Sequence, residues 1–271
     1  MNEGQFKHLA KGFFKEFRDI DLRDIPQQDQ RTPDFETSIG IERYTLELKI
    51  KDDDPKDIQN REELLKKGEI VKTTTLLSPR NTLSGIIEDG VNQLNEFDPS
   101  RNSFQIVWLH CEGQNPSIHW ERFHATLYGT ETLVSRGCGS MLWCYYYYDS
   151  SFFRYREKLD GALLTKFENE LVLNDATAEA SEGMEVQLCI NSLSSRADLF
   201  RRSELAKKLS QALCDPISEE SRGALIADCD FDRKIPIEII KYLKTKYKIS
   251  HLQVMPVNNI NVSAKLEDDR L

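Results

Sequence analysis

Between Arg31 and Lys51 the chain reads RTPDFETSIGIERYTLELKIK, which places Asp34 directly after a proline and sets Glu47 and Lys49 two residues apart in a run of alternating polarity. Two carboxylates and an ammonium group at this spacing suit a hard divalent cation. Mg2+ is typically held by one or two carboxylates, with waters and substrate phosphate oxygens completing its shell. Lys49 could then sit beside a metal-bound water. A Glu-x-Lys alone is more often part of a solvated charged strand, because short motifs match by chance. The Pro-Asp one strand upstream is what distinguishes this one.

Strand alternation must position these groups. It sends Leu46, Leu48 and Ile50 to one face and Thr45, Glu47, Lys49 and Lys51 to the other. The apolar face is expected to meet a core and the charged face to stay open. Phe35 and Ile39 alternate likewise with Asp34, Glu36 and Ser38, and Gly40 suits the first central position of a two-residue II′ turn with Ile41. If Ile39 pairs with Glu42, the register puts Glu36 opposite Thr45 and Asp34 opposite Glu47. Like charges facing each other across a sheet are destabilising by roughly the few tenths to 1 kcal/mol that opposite charges gain, so a compensating cation is expected. A slipped register would offer Glu42 in place of Glu47, but position 44 is then Tyr rather than Lys.

These residues resemble the PD-(D/E)xK nuclease superfamily, the restriction-endonuclease-like fold. Pro33-Asp34 looks like its first motif and Glu47-Leu48-Lys49 like its second. The resemblance implies that Asp34, Glu47 and the backbone of Leu48 hold Mg2+, with Mn2+ as a substitute, and that Lys49 orients or activates the attacking water. It also implies an acid on the preceding helix, for which Glu16 in GFFKEFRDIDL is the best-placed candidate. A polar residue on the following helix is implied as well, and Gln93 in IIEDGVNQLNEF matches that pattern. The implied substrate is DNA, with RNA as the alternative, in a restriction, repair or phage-defence setting. A homodimer or a partner protein is compatible with it. The motifs lie in the segment before Cys111.

The chain has 271 residues and a net charge of −9, enough length for a substantial core in one large domain or two modest ones. No apolar run approaches a membrane span, and the N-terminus does not read as a secretory signal, so the cytoplasm is the expected location. The negative balance argues against a generic nucleic-acid coating protein. It leaves room for a nuclease that uses a metal and local basic patches, with salt-dependent binding. Lys66-Lys67 and Arg201-Arg202 are such patches, though each reads first as a solvated helix face. The six cysteines form no Cys-x-x-Cys pair and read as reduced, mostly buried thiols. His119 and His124 read as structural. Asp228, Asp230 and Asp232 lack the glycine and the terminal glutamate of an EF-hand, since Arg233 and Ile239 occupy those places.

Residues 3–19 are expected to form an amphipathic helix with Phe6, Leu9, Phe13 and Phe17 on a common side. A second helix should follow Ser78-Pro79 and run to about Phe97, and NSFQIVWLHC reads as a buried strand of a mixed or parallel sheet. The segment Ile70 to Leu76 is assigned as the third strand of the core. Beyond residue 120 short strands are expected at TETLV, MLWCYYYY, GALLTK, ELVL and EVQLCI. Tyr145 to Tyr148 read as buried rather than as a base-stacking platform. From about residue 195 the pattern predicts an Arg/Lys-rich helix to Cys214, the strand GALIADCD, a helix from Pro236, and closing strands. The expected fold is α/β, a restriction-endonuclease-like core (αβββαβ, a mixed central sheet flanked by helices) with a C-terminal α/β extension. Residues 1–175 would form the nuclease-like domain, and 176–271 a C-terminal portion that can pack as part of it. The expected function is a metal-dependent endonuclease hydrolysing phosphodiester bonds in DNA. An RNase on the same fold and a catalytically silent binding or scaffold protein are the alternatives.

Overall fold

The structure, a computed structural model, describes residues 2–26, 31–76, 79, 81–135, 139–167, 183–230, 232–233, 235–255 and 258–263. Helix α1 (Glu3–Arg18) begins at a reciprocal cap, in which Asn2 accepts from the Gln5 N–H and the Gln5 side chain accepts from Asn2. It ends where Asp19 turns left-handed. There follow β1 (Arg23–Asp24), β2 (Phe35–Ile39), β3 (Glu42–Lys51), α2 (Pro55–Lys66), β4 (Val71–Leu76), α3 (Asn81–Phe97), β5 (Phe104–Cys111) and α4 (Pro116–Tyr128). The second half holds β6 (Glu131–Ser135), β7 (Met141–Tyr145), α5 (Ser151–Arg154), β8 (Gly161–Phe167), β9 (Met184–Ile190), α6 (Ala197–Arg201), α7 (Glu204–Lys208) and β10 (Leu213–Cys214). It closes with α8 (Pro216–Ser221), β11 (Leu225–Ile226), α9 (Pro236–Tyr247), β12 (Leu252–Val254) and β13 (Asn258–Ser263).

Seven strands form one mixed sheet in the order β1-β2-β3-β5-β8-β9-β10. At its centre β3, β5 and β8 run parallel, while β2 and β9 flank them antiparallel. Every residue of β5 is buried, as a central parallel strand covered on both faces requires. One face packs against α1, α6 and α7 through Phe6, Phe14, Leu46, Trp108, Leu188 and Phe200. The other packs against α3, α4 and α5 through Ile87, Val91, Val107, Phe123, Phe152 and Leu164. A second sheet, β11-β7-β6-β12, is closed by Ile239 and Leu243 of α9, and β4 pairs with β13. Among the described residues no helix is long and apolar enough to cross a membrane.

Several expectations change. The charged face of β3 is not open, because α3 lies over it and leaves Thr45 and Glu47 only 4% and 3% exposed. Gly90 permits this close approach: a Cβ there would sit 3.3 Å from Val107 and 3.5 Å from Glu47 Cγ. The Ile70 to Leu76 segment forms a strand but not the third of the core, since β4 pairs with β13 outside the main sheet. Helix α4 arises where the sequence suggested only strands further on. Its second half is buried nearly all round, so no amphipathic stripe marks it. Ala10 and Phe14, not Leu9 and Phe17, complete the buried side of α1. The basic helix expected before Cys214 is instead two short helices and an edge strand. Strands β9 and β10 join the main sheet, so residues on both sides of position 175 share it. The tyrosines Tyr145, Tyr146 and Tyr147 are buried. The ELVL segment lies outside the described residues.

Candidate active site

The hairpin turns at Gly40, whose φ of +62° is the left-handed conformation glycine adopts freely. Ile39 pairs with Glu42 and Glu36 with Thr45, the register expected from the turn. Glu42 is thereby excluded from the site: its carboxylate accepts from the Glu204 N–H at 2.7 Å and bonds the Tyr44 hydroxyl, at the far end of β3 and on its other face. Backbone pairing of β2 stops at Phe35 opposite Leu46. One residue earlier, Asp34 continues the ladder with its side chain, and its Oδ2 accepts the Leu48 N–H at 2.8 Å. N–H and C=O of one strand residue point to the same side, so the Leu48 carbonyl also faces this edge, beyond the end of β2.

Glu47 lies on the neighbouring face of β3, under α3. Its Oε1 meets Lys49 Nζ at 2.9 Å, while Oε2 is buried without a hydrogen-bond partner. Burial pushes the Glu47 carboxyl up to about 7, the nearby Asp34 carboxylate adds to this, and Lys49 opposes it. Lys49 also donates to Asp89 Oδ2 at 3.1 Å, and Asp89 in turn meets Arg31 at 3.2 Å. Burial alone would lower the Lys49 ammonium, but its contacts with Glu47 and Asp89 outweigh that and raise it. Lys7 of α1 approaches from the other side. Its Nζ lies 2.5 Å from Asp34 Oδ1 and 2.6 Å from Glu3.

The fold therefore brings Asp34, Glu47, the Leu48 backbone and Lys49 together. Gln93 is near but differently engaged: its Nε2 donates to the Thr32 carbonyl at 2.7 Å, which fixes the chain two residues before Asp34. Glu16 does not reach the cluster. It is exposed on α1, nine residues beyond Lys7, or roughly 13 Å along the helix axis. Glu3, one turn before Lys7, is the acid that α1 does bring towards Asp34. The sequence reading missed Lys7 and Asp89. Asp89 was within reach of it, because Asp89 and Gln93 stand four residues apart on one side of α3.

Among the described residues no group of three or more His, Cys, Asp or Glu side chains is arranged to hold a metal ion. Two carboxylates and a strand carbonyl remain a set that a water-rich Mg2+ can use. The buried, unpartnered Oε2 of Glu47 is the observation that fits such an ion, because a buried carboxylate oxygen without a partner is costly. No family model, no curated protein and no solved structure matches the chain.

Proposed function

We propose that the protein is a metal-dependent nuclease that hydrolyses phosphodiester bonds in DNA, with Asp34, Glu47 and Lys49 as its working groups. The supporting observation is the pairing of a buried carboxylate, half-satisfied by Lys49, with a second carboxylate held across the hairpin end. Asp34, Glu47 and the Leu48 carbonyl would hold Mg2+ or Mn2+. The ion, when bound, supplies a Lewis acid for the phosphate and lowers the pKa of a coordinated water. Lys49 is the residue that orients the attacking water and offsets charge developing on the phosphate. Asp89 and Arg31 hold Lys49 from behind, so the ammonium is aimed before substrate arrives.

The test is hydrolysis of plasmid, single-stranded DNA and total RNA by purified protein in Mg2+, Mn2+ and EDTA. Metal-dependent cleavage of DNA that is lost in Lys49→Ala supports the proposal. Cleavage of RNA alone reassigns the substrate. A second reading, a silent binding protein on this fold, is favoured by the ion pairs that already neutralise both carboxylates, Lys7 on Asp34 and Lys49 on Glu47. It predicts neither cleavage nor Mn2+ binding.

A further inference from the structure

A cleft of about 450 Å³ opens between α2 and the start of α4, where β3 and β5 end. Neighbouring parallel strands of open α/β sheets present their ligand crevices outside their carboxyl ends, and β3 and β5 are such a pair, ending at Lys51 and Cys111. Lys51 lines the cleft. It stands two residues past Lys49 on the same face of β3, roughly 6.6 Å along the strand. The cleft begins where the candidate active site ends.

Its walls combine two chemistries. Ile58, Leu64 and Ile118 supply apolar surface, while Lys51, Arg61 and Arg122 supply cations. Three carboxylates also line it, and two of them are engaged by the wall itself. Asp53 accepts from the Gln114 N–H at 2.8 Å and meets His119 Nε2 at 2.8 Å, and Asp54 caps α2 by accepting from the Lys56 N–H at 2.9 Å. Asp57, the third, stands in the first turn of α2, where the helix dipole favours an acid. Gly113, at φ +98°, lets the two loops close on each other: a Cβ there would lie 2.7 Å from the Asp53 carboxyl carbon. Arg61 reaches across from α2 to bond Gln114 Oε1. The cleft is thus pre-formed, and its volume lies in the range of small-ligand sites.

We propose that the cleft binds one nucleotide of a single nucleic-acid strand, adjoining the phosphate engaged at Asp34, Glu47 and Lys49. The base lies against Ile58, Leu64 and Ile118, and the phosphate meets Lys51, Arg61 and Arg122. The face of a base can lie against an apolar wall only where that base is unstacked, as in a single strand, and the cations beside that wall suit its phosphate; the lining holds aliphatic side chains in place of the aromatic platform of sequence-tolerant single-strand grooves. The position of this nucleotide relative to the cut bond rests on the nuclease proposal above; the binding itself does not.

The experiment measures binding of short fluorescein-labelled single strands of DNA and RNA, and of the matching blunt duplex, to the full chain in Ca2+ at several salt concentrations. Wild type is expected to bind a single strand at least tenfold more tightly than the duplex. The Arg61→Gln/Arg122→Gln double variant should lose roughly tenfold in affinity, and its log–log salt slope should fall by about 0.7, since the cleft takes one phosphate and each single-strand phosphate contact contributes about 0.7. Ile58→Asn, an uncharged change at a half-buried position, should weaken binding with wild-type slope, and thermal melting of each variant shows that it is folded. Unchanged affinity and slope in the double variant, equal binding of duplex, or binding of neither DNA nor RNA would overturn the proposal. A wild type that binds single strands but cleaves nothing in Mn2+ removes the nuclease reading and leaves the cleft. One that cleaves while the double variant keeps its affinity removes the cleft alone.

Discussion

The Asp34 carboxylate accepts the backbone N–H of Leu48 at 2.8 Å, so the acid of the Pro-Asp segment is fastened to the strand residue lying between Glu47 and Lys49. Backbone pairing ends at Phe35, and the side chain takes over where it stops. A hydrogen bond to a charged group contributes about 1.5–3 kcal/mol, enough to hold the two acidic segments in one geometry. Lys7 reinforces the same carboxylate from α1. These two contacts fix the Asp34 carboxylate between α1 and β3.

Substituting the working groups should separate activity from folding. Asp34→Ala, Glu47→Ala and Lys49→Ala should each remain folded by circular dichroism and lose at least about a hundredfold of metal-dependent cleavage, the usual scale for a positioned charge or acid–base group. Plasmid nicking in Mg2+ and Mn2+ reads this out. Full activity in all three would end the assignment.

The pH dependence follows from Glu47, whose carboxyl is raised from 4.5 to about 7, chiefly by burial. Between those values the folded chain binds more protons than the unfolded one, so this group's contribution to stability falls as pH rises through the window and stays low above it. Without divalent metal, the melting temperature should therefore fall between about pH 5 and pH 7.5. Glu47→Gln should flatten that slope and be more stable than wild type at pH 8, by roughly 1–3 kcal/mol. Mn2+ affinity, measured by calorimetry, should rise with pH across the same window, because the ion takes the deprotonated carboxylate. A wild type and a Glu47→Gln variant with identical melting profiles would contradict this.

Lys7 and a metal ion would compete for Asp34. Lys7→Met removes the ammonium at 2.5 Å from Oδ1 and should tighten Mn2+ binding several-fold, since a neighbouring positive charge opposes a second one. Titration followed by electron paramagnetic resonance reports it. Weaker binding in Lys7→Met would mean that the lysine supports the site rather than standing in for the ion.

Gln93→Leu deletes the donor to the Thr32 carbonyl at a buried position. The expected loss is about 1–2 kcal/mol in urea unfolding, accompanied by lower cleavage, because the segment leading to Asp34 is no longer anchored. Loss of activity at full stability would instead point to direct contact of Gln93 with water or phosphate.

What the chain declared by itself was local. Alternation along Thr45 to Lys51 and a glycine at position 40 suffice to set the hairpin and its register, because strand period and turn chemistry are properties of neighbouring residues. The apolar run from Phe104 to Cys111 likewise announced a strand covered on both faces. The helix face of α1 was legible to within a residue or two of its buried stripe.

Tertiary packing decided the rest. Nothing near Glu47 in the sequence says that α3 will cover it, yet that cover leaves one of its oxygens without a partner and raises its pKa. Lys7 and Asp89 stand 27 residues before Asp34 and 40 residues beyond Lys49, respectively, separations over which no periodicity carries information. The fate of β4, diverted to pair with β13, and the burial of the second half of α4 nearly all round depend on which surfaces meet. Local spacing can place carboxylates on a strand; only the assembled layers determine how dry, how paired and how charged they become.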